Sequence, residues 1–240
     1  MVQGGKGMIH ASVREAKLYH GYVTVSNGTE LFYGGNQRAI GHSGIQKYGC
    51  GLIAATDLLI YLQRTYIQLG LPIPAPELGP VPLSLYQAAV DSLRRDYFPL
   101  IPGFGLNVWV LSQGLNRLFR KKNVPLKASW GVPQKVLWRA IDEMLCRDFP
   151  VILCIGHNFP RVWSDHKVAF YKRSSEGAYT AVAGAAAHYV VVTGMDGHWL
   201  RISSWGRELY IDQSELMTHM RSNSNPLFTN VIYLRNVKRP

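Results

Sequence analysis

Two rhythms of apolar and polar positions divide the 240 residues, and the change falls at Phe149-Pro150. Before it the spacing is helical. Leu52 to Leu69 is apolar on nearly every face and stops at Gly70, which predicts a buried helix. Leu83 to Tyr97, Asn107 to Lys121 and Pro133 to Arg147 read as three further helices, the last with proline in its first turn. The proline-rich stretch Leu71 to Pro82 reads as a connection. Ahead of the helices, "YVTVSNGTELFYGG" sets Asn27-Gly28 between two alternating segments and predicts a hairpin with a tight turn.

After Pro150 the period shortens. "VILCI", "KVAFYKR", "AYTAVAG", "HYVVVTG", "HWLRISS", "RELYID" and "FTNVIYLR" read as strands, with a small helix from about Gln213 to Met220. Helices followed by an antiparallel sheet predict an α+β fold of two lobes in a single domain spanning 1–240. The helical lobe is expected over about 36–130, the sheet lobe over about 131–240, and the hairpin over about 20–35.

Composition narrows the class. Hydrophobic residues make up 47% and charged residues 17%, the balance of a chain that buries a core. No apolar run reaches the roughly 18 to 20 residues of a membrane-spanning helix, and the N-terminus lacks a signal-peptide core, so a cytoplasmic location is expected. Three cysteines without zinc-site spacing disfavour a disulfide scaffold. The net charge of +11 raises nucleic-acid binding, but the basic residues are scattered outside "RLFRKKNVPLK" and no nucleic-acid-binding motif accompanies them. A solvated basic face accounts for them better.

Cys50 stands between Gly49 and Gly51 at the head of the long apolar run. There the helix end would favour a thiolate, and free backbone N–H groups could hold an oxyanion. On these residues alone, nucleophile and buried small hydrophobe are balanced. Cys146 and Cys154, within a helix and an apolar strand, read as core.

His188 is set apart by its hairpin. With Gly194 to Gly197 as a four-residue turn, Thr193 opposes His198 and, counting outward, His188 opposes Ser203. A base with an orienting partner is the logic of an activated nucleophile. Asp196 lies at the turn, too far away to serve. His42, His157 and His198 have weaker cases, and Cys50 with His188 lacks the further ligands that zinc needs.

These segments together resemble the papain-like cysteine peptidase superfamily, and within it the bacterial branch that includes the double-glycine leader (bacteriocin-processing) peptidases. The resemblance rests on "YGCGLIAATDLLIYL", "WRAIDEMLCRDFPVILCI" and "AHYVVVTGMDGHWLRISSWGRELYIDQSEL", and covers roughly Gln46 to Leu69 and Val136 to Leu216. It implies Cys50 as nucleophile, His188 as base and Gln46 as oxyanion donor beside the Cys50 N–H. "SSWG" is similar to the papain-type "NSWG", which makes Ser203 the orienter and Trp205 its cover. Two positions depart from the pattern. The family glutamine precedes the cysteine by six residues and Gln46 by four, so either the loop is shorter or another residue such as Ser43 donates. The third position carries serine where the family has Asn or Asp.

The resemblance implies a thiol hydrolase acting on a peptide or protein substrate, with no cofactor or metal. An acyltransferase or transglutaminase-like enzyme using the same dyad, or a silent binding module, are the alternatives.

Overall fold

The computed structural model describes residues 15–71, 73, 76–101, 103, 105–156 and 166–237. They form a mixed α+β structure in which an antiparallel sheet packs against helices. β1 (Ala16–Lys17) is followed by a hairpin of β2 (Thr24–Ser26) and β3 (Leu31–Tyr33). Its turn differs from the expected tight Asn-Gly bend: Ser26 pairs with Leu31, leaving four loop residues. Asn27 Oδ1 closes that loop by accepting from the N–H groups of Thr29 and Glu30, so asparagine acts here through its side chain.

α1 (Ser43–Tyr48) and α2 (Cys50–Thr65) are separated only by Gly49. Every residue of α2 from Gly51 to Leu62 is buried, as its all-round apolar sequence requires. The helix stops four residues before Leu69. Tyr66 leaves helical geometry at φ −127°, and Ile67–Leu69 form a 3-10 turn closed by Gly70 at φ 57°. β4 (Val81–Pro82) falls in the proline-rich connection and pairs in parallel with β2. α3 (Leu83–Asp96) and α4 (Val108–Lys121) follow. β5 (Leu126–Trp130) is a strand that the helical reading of this region overlooked. α5 (Leu137–Cys146) begins after a 3-10 turn, and Pro133 caps that turn instead of entering the helix.

The remaining elements are β6 (Val151–Ile155), β7 (Val168–Arg173), β8 (Tyr179–Ala185), β9 (His188–Asp196), β10 (Trp199–Ser204), β11 (Arg207–Asp212), α6 (Gln213–Ser222) and β12 (Asn230–Asn236). Among the described residues the larger sheet runs β5-β12-β6-β9-β10-β11-β7-β8, with β1 also paired to β9. β9 is buried along most of its length and packs against α2, so the helix that begins at Cys50 lies on the strand that begins at His188. That juxtaposition positions the site. Cys154 is buried in β6 as expected, whereas Cys146 is exposed at the end of α5, where the last turn rotates it off the apolar face. No helix among the described residues is long and apolar enough to cross a membrane.

Candidate active site

Cys50 is the first residue of α2 and is half-buried. The flanking glycines are there for packing. A Cβ on Gly49 would fall 2.4 Å from the Ile45 carbonyl oxygen, and one on Gly51 would meet the Tyr189 ring at 3.1 Å. Burial pushes the thiol up from its ordinary value, while the backbone amides of Tyr189, Gly51 and Cys50 itself pull it the other way. Desolvation wins, so the helix start alone does not hold a thiolate here.

His188 opens β9 opposite Ile155 of β6 and is buried. Burial lowers its imidazole to about 4, so the ring is neutral at pH 7. Its Nε2 lies 2.8 Å from Ser204 Oγ, and its ring stacks on Trp205 with centroids 4.6 Å apart. With Nε2 committed to Ser204, Nδ1 is the nitrogen left for proton transfer.

The serine that bonds the imidazole is therefore Ser204, in place of the expected Ser203. Two local features moved the register. The turn between β9 and β10 has two residues, Gly197 and His198, because Asp196 pairs with Trp199. A bulge at Thr193 then shifts the pairing, so that Ser203 opposes Val191. The two changes carry the register by an odd number of residues and exchange the faces of the two serines. Ser203 Oγ donates instead to the Tyr33 carbonyl at 2.8 Å.

Trp205 and Gly206 form the two-residue bend between the paired Ser204 and Arg207. Both have positive φ, +50° and +73°, as a type I′ turn demands. A tryptophan there costs about 1–2 kcal/mol of backbone strain. Its ring is held against His188 and, at 5.4 Å, against Phe170.

Gln46 does not reach the cleft. Its side chain is exposed, and Nε2 donates to the Ile40 carbonyl at 2.8 Å. Ser43, the other expected donor, is exposed at the first turn of α1. The glutamine that lines the cleft with Cys50 and His188 is Gln37, in a 3-10 turn after β3. One of its amide hydrogens is used on the Gln46 carbonyl at 2.8 Å, and the amide carries a second. Its only sequence signal was "GGNQ" ahead of the cysteine, at a spacing that the family pattern does not prompt one to search. Of the other histidines, His42 caps α1 through Nδ1 and His198 sits in the hairpin turn. His157 lies outside the described residues.

Asp57, two turns beyond Cys50 on α2, also lines the cleft and is buried. It accepts from Tyr86 Oη at 2.7 Å, Tyr22 Oη at 3.0 Å and the Gly35 N–H at 3.0 Å. Burial raises its carboxyl to about 6 despite these donors. Gly34 and Gly35 are needed for this cradle: a Cβ would lie 2.3 Å from Ser203 Oγ on the first and 1.9 Å from Tyr86 Oη on the second. Asp57 thus pins the backbone that leads to Gln37. The cleft among these groups has about 10 Å³ of free space, at the lower limit for one water.

No family model matches the sequence, and a search of curated proteins finds no match. A solved structure described provisionally as a C39-like peptidase from Bacillus anthracis is similar over 80% of this chain and 91% of its own, with 12% identity and a TM-score of 0.40. A similarity that remote has no bearing on the roles of these residues.

Proposed function

We propose that the chain is a thiol hydrolase of papain-like, two-lobed build that cleaves a peptide or related amide bond through an acyl-enzyme on Cys50. The observation that carries this reading is that Cys50 and His188 line one cleft while Ser204 and Trp205 fix the imidazole.

His188 Nδ1 takes the thiol proton as Cys50 Sγ attacks the carbonyl carbon. The thiol is held up and the imidazole down, and no hydrogen bond joins the two in the resting structure. The proton therefore moves when substrate enters, and His188 is a general base more than half of a standing ion pair. The oxyanion is held by the Cys50 N–H at the start of α2 and by the second amide hydrogen of Gln37. His188 returns the proton to the leaving amine, then draws one from the water that releases the acid. Ser204 orients the ring without adding a charge, while Trp205 shields it from water. The neutral serine suits a base that must stay neutral until attack.

Alkylation by iodoacetamide tests the reading. The rate should be lost in Cys50→Ala and should fall in His188→Ala above pH 5, where the wild-type base is free. Equal rates in wild type and His188→Ala across pH 5 to 8 would refute the dyad.

A further inference from the structure

Trp205 lines the cleft with Cys50 and His188 and also a second hollow of about 820 Å³. The remaining walls come from the β2–β3 hairpin, the turn that carries Gln37, the Trp205–Gly206 bend and β8. Arg38 and Arg207 stand on this groove, both exposed, and neither forms an ion pair with another described residue. The acid on the wall, Glu30, lies 3.4 Å from the Asn27 amide. The groove thus offers two guanidinium groups against one carboxylate, on a chain of net charge +11.

β8 gives the groove its shape. It ends the larger sheet among the described residues, and Thr180 to Ala183 are exposed. Those side chains are small and uncharged, with no proline, so among the described residues nothing on this edge blocks a further strand. An extended peptide can pair with such an edge through its main chain.

We propose that this groove binds an acidic, extended segment of the peptide substrate, paired along β8 with a carboxylate against Arg38 and Arg207. The inference rests on the thiol-hydrolase reading only in naming the occupant a substrate. Trp205 then borders both hollows, with its ring stacked on His188.

The test uses Cys50→Ala protein, so that binding is read without chemistry. Three fluorescein-labelled pentapeptides serve as probes by anisotropy: Glu-Ala-Glu-Ala-Glu, its lysine counterpart, and the acidic peptide with alternate amides N-methylated. The acidic peptide should bind at least about tenfold more tightly than the lysine one, as two exposed ion pairs allow. Arg38→Glu with Arg207→Glu should reverse that order. Arg117→Glu with Arg120→Glu, on α4 in a different hollow, should leave it unchanged. N-methylation should abolish binding. Equal binding of the acidic and lysine peptides, or no binding of either, overturns the proposal, as does a preference lost equally in both double variants. Undiminished binding of the N-methylated peptide removes the strand pairing. Iodoacetamide labelling of wild-type Cys50 is run alongside, and its failure would refute the thiol enzyme while leaving the groove result standing.

Discussion

Ser204 Oγ lies 2.8 Å from His188 Nε2, although the two residues are diagonal neighbours on β10 and β9 and not opposed ones. The serine beside it on the chain also lines the cleft, but its hydroxyl is spent on the backbone of Tyr33. The two hydroxyls should therefore separate cleanly. Ser204→Ala should slow acylation by p-nitrophenyl acetate by roughly tenfold or more, the effect of leaving a buried ring nitrogen unpartnered. Ser203→Ala should leave the burst rate unchanged and cost about 1 kcal/mol in a denaturant melt.

The two glutamines separate in the same way. Gln37→Ala should lower acylation by roughly 10²-fold, in the range for a lost oxyanion donor. It should leave iodoacetamide alkylation unaltered, because that displacement builds no oxyanion. Gln46→Ala should change neither rate, and its effect should appear as about 1 kcal/mol of stability from the lost bond to Ile40.

His188 and Asp57 should oppose each other in the pH dependence of stability. The imidazole is lowered from 6.5 to about 4, so the unfolded chain binds more protons across that window and His188 makes stability rise with pH. The carboxyl is raised from 3.8 to about 6, so the folded chain binds more and Asp57 makes stability fall. Each effect is on the order of 3 kcal/mol, and in the wild type they nearly cancel. Denaturant melts from pH 4 to 6.5 should be almost flat for the wild type. They should slope upward with pH for Asp57→Asn and downward for His188→Gln; parallel slopes in all three would disprove the pairing.

Trp205→Gly should relieve the left-handed backbone yet open His188 to water. The imidazole should then titrate well above 4, closer to 6.5, in a histidine NMR titration. An unchanged titration would mean that the indole is not what dries the ring.

Much of this arrangement was legible in the chain. The glycine-flanked Cys50 ahead of an apolar run, the strand that begins at His188 and the alternation of helix and strand periods all stood in the sequence. The failures share a cause. The expected pairing of His188 with Ser203 fails because a bulge at Thr193 has no composition signal, and one such residue exchanges the faces of every side chain beyond it. Gln46 is near Cys50 along the chain, whereas Gln37, which no sequence spacing marks, shares the cleft with it in space. The turn that brings Gln37 to the cleft is anchored by Asp57, which reads in sequence as an ordinary interruption of an apolar helix. β5 was missed because "LKASW" becomes a strand only by pairing with β12, about a hundred positions further on.

The bend at Trp205 and Gly206 follows directly on Ser204, so the group that aims the imidazole and the group that keeps it dry are consecutive residues of one hairpin. His188 itself stands on β9 and Cys50 on α2, so the imidazole is aimed and covered from a third, separately encoded element. That hairpin could be exchanged as a cassette, retuning the imidazole while the strand that bears His188 and the helix that bears Cys50 keep their own sequences.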